Sequence, residues 1–359
     1  MTKSILRFKF LNYFMVWALF LGVIASSCSK DDSTPAPPPA NKAALQTSVS
    51  AAQLLHDNTV EGTKPGQYEV GFKIALKAAL DASKIVLADQ AATQAAVNNS
   101  TAQLNAAMAA YQSHLIKEIA EVNLIGFWKM NGNAGDSSGK GNHGVASAGH
   151  VYYGAGTPTL TADRFGRADK AYFFDKGANI NVPYSNSLNP QEMTILLWAK
   201  KSTTGRTVNP DTYTMVAMNR WNGYKYQLQG GNLTFFTVRV VKAVGDTTIY
   251  DRDNAGVALS NDVWYHSAVT YKTGVMRFYV DGDLVKEWTD TPGVPLSLTD
   301  PIDFVIGQDL PTNKYLTVDG NFQVAWGGFW TGEMDDVMFY NIALDGPQVK
   351  SIYNNQKTL

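Results

Sequence analysis

The sequence predicts a mainly β protein, a two-sheet antiparallel jelly-roll sandwich with a separate small three-helix bundle on its N-terminal side. Three observations carry this reading. The chain has 359 residues, about two domains' worth. At Val122 the hydrophobic period changes from helical to strand-like. Beyond it, runs such as Ile195-Leu196-Leu197-Trp198, Leu233 to Val238 and Val275 to Val280 are β-branched and aromatic. Gly, Asn, Asp and Pro punctuate them at short intervals, the pattern of an all-β sandwich.

The chain opens with a basic segment (Lys3, Arg7, Lys9), an apolar run from Phe10 to Ala25, and Ala25-Ser26-Ser27-Cys28. Taken by itself the apolar run is nearly long enough to span a bilayer. The small residues ahead of the sole cysteine give a signal-peptide layout over residues 1–27. This layout resembles the bacterial lipobox, and the resemblance implies acylation of Cys28 and a membrane anchor through lipid. Ser29-Lys30-Asp31-Asp32 resembles the signal that sends lipoproteins of one group of Gram-negative bacteria to the outer membrane and cell surface. Residues 28–40, with Pro35 and Pro37-Pro38-Pro39, read as a stiff tether.

Residues 41–120 are rich in Ala, Gln, Lys and Leu. Leu45, Val49, Ala52 and Leu55 outline one helix, and Tyr68, Phe72, Leu76, Leu80 and Leu87 a second. Thr93, Val97, Leu104, Met108, Tyr111 and Leu115 outline a third. Gly66-Gln67-Tyr68 before an Ala/Leu helix resembles the FIVAR-type bundles found beside carbohydrate-active modules, where the bundle acts as binder or spacer. No exposed aromatic cluster is legible on these helices, which favours the spacer.

Residues 121–359 make up the predicted sandwich. Asp281-Gly282 after Val280 is a hairpin turn, and Ala343 to Tyr353 a short terminal helix. Phe127-Trp128-Lys129-Met130, the loop Asp136 to Gly144, Ala171 to Asp175, Thr194 to Trp198, Trp264-Tyr265-His266, Phe278 to Gly282 and Gly332 to Leu344 follow in order. Together, over Leu124 to Tyr353, they resemble the laminin-G-like, concanavalin-A-like lectin and glucanase family. The resemblance implies a structural Ca2+ held by Asp335 on the last strand, with Asp136 and Asn142 as partners. It also makes His266 and Trp330 core residues.

Gly332-Glu333-Met334-Asp335-Asp336-Val337-Met338 imitates a glucanase strand, Glu-x-Asp-x-Glu or Glu-x-Asp-x-x-Glu. The closing glutamate position holds Val337 or Met338. Retaining hydrolysis needs two carboxyl groups about 5 Å apart, so one is missing. On a regular strand Asp336 would face away from Asp335. Trp221, Tyr224 and Trp326, flanked by glycines, are the candidate sugar-stacking aromatics. The five histidines lack zinc spacing, and a net charge of −1 without a basic stripe argues against nucleic acid. The expectation is a surface lipoprotein whose partner is a glycan or polysaccharide, bound without catalysis. The alternatives are a glycoside hydrolase or polysaccharide lyase drawing on Glu333, Glu287 or Asp281, and an adhesion module with protein partners.

Overall fold

A computed structural model describes residues 38–202, 206, 209, 211–299, 302–315 and 327–358. Helices α1 (Ala43–Asn58), α2 (Lys73–Ala88) and α3 (Gln94–Gln112) pack around Leu45, Val49, Leu76, Leu80, Val97, Leu104 and Tyr111. The apolar residues recur at three and four, so each helix buries one stripe. Thr93 caps α3, its hydroxyl accepting from the Ala96 N–H. Tyr68 and Phe72 precede α2 rather than lying on it. Gly66 and Gly71, both at positive φ, hold the chain in a turn there, and Tyr68 stacks on Tyr111 with ring centres 4.3 Å apart.

The strands in chain order are β1 (Leu124–Trp128), β2 (Val145–Ser147), β3 (Thr159–Thr161), β4 (Ala171–Phe174), β5 (Asn179–Val182), β6 (Met193–Lys201), β7 (Thr212–Met218) and β8 (Tyr224–Gln229). They continue with β9 (Leu233–Ala243), β10 (Asp246–Ala258), β11 (Tyr265–Lys272), β12 (Gly274–Val280), β13 (Asp283–Thr291), β14 (Val294–Pro295), β15 (Phe304–Ile306) and β16 (Gly332–Tyr340). All pairings among the named strands are antiparallel. One sheet runs β13-β12-β11-β6-β16-β4-β3, with β1 also on β16. The other runs β10-β9-β8-β7-β15-β5-β2, with β14 on β9. Alternate residues of both sheets, among them Ile195, Leu197, Tyr226, Phe236, Phe278, Phe304 and Phe339, interdigitate in one core. The mainly β sandwich and the small helical region are therefore as the sequence predicts.

Two local backbone features fix where acidic side chains point. At Asp281-Gly282 both residues take positive φ, as a two-residue hairpin between right-twisted strands requires. On β16, Asp335 pairs with Trp198 but Met338 pairs with Leu196, so β16 carries one extra residue. Asp336, at φ 47°, is the bulge. A last helix, α4 (Gly346–Gln356), starts later than Ala343 because Asp345 and Gln348 form a reciprocal capping box. It receives the helical bundle: Lys117 pairs with Asp345 at 3.0 Å, and the Ser351 hydroxyl donates to the Thr63 carbonyl.

Candidate functional site

The glucanase-like strand lies in the middle of the first sheet, and its acidic residues all have protein partners. Glu333 pairs with Lys200 at 2.7 Å. Val337 is fully buried in the core. The bulge overturns the expectation that Asp335 and Asp336 face opposite ways: the extra residue turns both carboxylates onto Arg164, with Asp336 at 2.9 Å. The Arg164 side chain is only 4% exposed, lies over the Trp198 ring at 4.6 Å, and donates to the Gln356 carbonyl. Burial, and then the charge of Asp336, push Asp335 up to about 8 against the pull of Arg164. The other two candidate carboxylates are held elsewhere, Glu287 by Arg277 at 2.5 Å and Asp281 by the His266 N–H at 3.0 Å. His266 is fully buried, as expected, with its pKa lowered to about 3 by burial first and then by the charges of Arg164 and Lys350.

The oxygens expected to ligate calcium do not fit that ion. The Asp136 Oδ1 accepts from the backbone N–H groups of Phe127 (2.9 Å) and Ser138 (2.8 Å). Its Oδ2 accepts from the Ser138 hydroxyl (2.8 Å) and the Asn142 N–H (2.9 Å). All the good acceptor directions of this carboxylate are thus used within the protein. Asn142 turns its amide N–H2 to the Ile125 carbonyl (2.6 Å), and its backbone carbonyl accepts from the Trp128 indole (2.9 Å). Asp335, the third expected ligand, already has Arg164. Among the described residues no group of three or more His, Cys, Asp or Glu could hold a metal ion. The Gly-rich loop is instead a structural clasp that ties residues 136–142 to β1. Burial alone would raise the Asp136 pKa, but the hydrogen bonds from Ser138, Phe127 and Asn142 outweigh it and lower it.

Of the candidate aromatics, Tyr224 is a core residue. It begins β8, where Tyr224, Tyr226 and Leu228 alternate into the sandwich, and its hydroxyl donates to the Leu188 carbonyl at 2.6 Å. Glycine beside it does not make it protrude, because strand period decides its direction. Trp221 is half-buried, in the tight turn Arg220–Asn222 between β7 and β8. Trp326 and Cys28 lie outside the described residues.

The structure brings other polar residues together on the outer face of the second sheet. One cross-strand row runs Asn181, Val305, Ala217, Lys225, Thr237, Asp251 from β5 to β10. At its β5 end is a cleft of about 290 Å³ lined by Ser147, Asn179, Asn181, Asp303, Thr312 and Asn313, with Pro311 alongside. Asn179 is 0% exposed and donates its amide N–H2 to the Gly177 carbonyl (3.0 Å) and the Thr312 hydroxyl (3.3 Å). Asn181 donates to Asp303 at 2.7 Å. That leaves Asn179 Oδ1 and Asn181 Oδ1 enclosed and without a partner. A buried unpaired acceptor costs about 1–3 kcal/mol, so the cleft calls for hydroxyl or amide donors from a ligand or water. Asp303 adds a carboxylate, which also accepts from the Tyr184 N–H at 2.9 Å.

The sequence carries this signal only faintly. Asn-Ile-Asn-Val at 179–182 alternates as a strand should, but amides on an outer face are ordinary until the loop at Thr312 closes over them.

Residues 174–350 match the family model described as the concanavalin A-like lectin/glucanases superfamily. A gellan lyase from a Bacillus species is 42% identical over 78 residues, which are 22% of this chain. The chain spans only about 3% of the length of that curated relative. Among solved structures, domain 4 of a GH43 extracellular arabinanase from Geobacillus stearothermophilus, in complex with arabinotriose, gives a TM-score of 0.47 at 19% identity. It covers 64% of this chain and 98% of the other. The binding domain of Paraclostridial Mosquitocidal Protein 1 gives 0.46 at 17% identity, covering 66% and 53%. Over residues 174–350 the β part of the chain is thus similar to the concanavalin A-like lectin/glucanases superfamily.

Proposed function

We propose that the β domain recognises carbohydrate without cleaving it, and that the Asn179–Asn181–Asp303 cleft holds a sugar ring. The observation that carries this reading is the pair of enclosed, unpartnered amide oxygens beside a carboxylate, in a cleft at the small end of ligand-pocket volumes. Acceptors at several angles in a small space suit a ligand with several hydroxyl donors on a rigid ring. Asp303 disfavours an anionic group at this spot, and Pro311 offers an apolar surface for ring C–H groups. The match to a lectin and glucanase family supports the same class of ligand. The non-catalytic half of the reading rests on Glu333, Asp335, Glu287 and Asp281, each engaged by a different protein partner.

In this reading Cys28 is acylated, residues 28–40 hold the body off an outer membrane, and the bundle is a spacer. Its contacts to α4 through Lys117 and Thr63 support a spacer that presents the β domain in a fixed direction. Protein partners remain the competing occupant of the surface.

Asn181→Ala should weaken binding of a retained oligosaccharide by about tenfold in titration calorimetry, since one ligand hydroxyl loses its acceptor. Its thermal melt should stay close to the parent's. Unchanged affinity for every sugar bound by the parent would rule the cleft out as the binding site.

A further inference from the structure

Beside the turn that carries Trp221 are two cations that, among the described residues, have no carboxylate at ion-pair distance. Lys225 is on β8 facing outward, with 5% of the residue exposed and its ammonium 5.3 Å from the centre of the Trp221 ring. Among the described residues its ammonium has no hydrogen bond and no ion pair. Arg239 lies on the same face of β9, where its backbone N–H donates to the Gly223 carbonyl at 2.7 Å. Because Lys225 pairs with Thr237, Arg239 is its diagonal neighbour, about 7 Å away by sheet geometry. Among the described residues the Arg239 guanidinium reaches only neutral groups, the Asn222 Oδ1 at 2.7 Å and the Thr247 hydroxyl at 3.3 Å, and its Nε is buried without a partner.

The carboxylates around this pair are engaged. Asp309 takes Arg220 and the Tyr315 hydroxyl, and Asp251 accepts from the Thr237 hydroxyl at 2.5 Å. Among the described residues neither cation has a carboxylate at ion-pair distance, and the Arg239 Nε is enclosed without an acceptor, so the pair keeps donors free for an anionic group. Beside them the half-buried indole of Trp221 offers an apolar face.

We propose that Lys225 and Arg239 form a subsite for an anionic oxygen group borne on a saccharide, a uronate carboxylate or a sulfate ester, with the sugar ring against Trp221. This rests on the proposed carbohydrate function and gives it a ligand class. A densely charged polyanion is disfavoured, because β10 brings exposed Asp251 and neighbouring Asp253 to the edge of the same face. An oligosaccharide with a charge on only some of its units fits both the cation pair and the uncharged cleft at Asn181. Lys225 and Asn181 are three strand steps apart on one row, about 14 Å.

The test is titration calorimetry of the full chain with galacturonate and glucuronate oligosaccharides, each beside its carboxyl-reduced derivative. Sulfated oligosaccharides of equal length identify which anion is preferred. The expected result is at least about tenfold tighter binding of an acidic form than of its neutral counterpart, shrinking as salt rises. Lys225→Met, which keeps the buried stem, and the double variant with Arg239→Gln should erase that preference while still binding the reduced form. Equal affinity of the parent for charged and reduced forms, or a preference that survives in both variants, would overturn the anionic subsite and leave neutral-sugar recognition standing. Silence towards acidic and neutral forms alike would overturn both.

Discussion

Arg164→Ala will cost about 3–5 kcal/mol of folding free energy at neutral pH, read as a lower midpoint in urea denaturation. The variant leaves the carboxyl groups of Asp335 and Asp336 buried beside each other with no cation to balance their charge, and Trp198 without the guanidinium over its ring. Adding Asp335→Asn and Asp336→Asn to it should recover most of the loss, because neutral amides leave no buried carboxylate charge without a cation. A loss below about 1 kcal/mol for Arg164→Ala would mean that the three groups are not held together in solution. The pH dependence follows from the raised pKa of Asp335. Between the ordinary carboxylate value of 3.8 and about 8 the folded state retains a proton that the unfolded chain has released. Stability from this group therefore falls as pH rises through that window, and Asp335→Asn should flatten the slope.

The second large effect is at the loop that resembles a calcium site. Asp136→Ala should cost on the order of 3 kcal/mol, since it orphans the N–H groups of Phe127, Ser138 and Asn142 around a partly buried position. The parent protein should show no shift in Tm on adding a chelator or calcium, because four protein donors already occupy that carboxylate. A melt that rises with calcium and loses the response in Asp136→Ala would restore the metal. The acid limb of stability should carry two contributions of the same sign. His266, held near 3 in the fold against 6.5 when exposed, gives stability that is full above 6.5 and falls as pH drops towards 3. Asp136, lowered below 3.8, adds a loss in more acidic solution as it protonates.

The sandwich was legible because its strands repeat every two residues and its turns are marked by Gly, Asn and Asp. The hairpin at Asp281-Gly282 was readable from its turn residues, and the burial of His266 and Trp330 was implied by the family resemblance. Tyr224 was misread because glycine beside an aromatic suggested a protruding ring, while the alternation Tyr-Lys-Tyr-Gln-Leu-Gln at 224–229 sends it inward. That same alternation places Lys225 on the outer face, and only its lack of an ion partner required coordinates to see. The sharing of Arg164 by Asp335 and Asp336 was hidden by a one-residue bulge, which no local pattern in Glu-Met-Asp-Asp-Val announces. The cleft was least legible, since Asn179, Asn181, Asp303 and Thr312 come from segments more than a hundred residues apart in sequence.

Recognition of carbohydrate without cleavage is the central claim, and one assay addresses both halves of it. The full chain is incubated with a panel of neutral and acidic polysaccharides, and the same samples are read for retention in affinity electrophoresis and for newly released reducing ends or unsaturated sugar. The expected result is retardation by at least one polysaccharide with no release from any of them. Release from a retained polysaccharide that is lost in Glu333→Gln would contradict the claim and make the chain an enzyme, and failure to be retarded by any member would remove carbohydrate as the ligand.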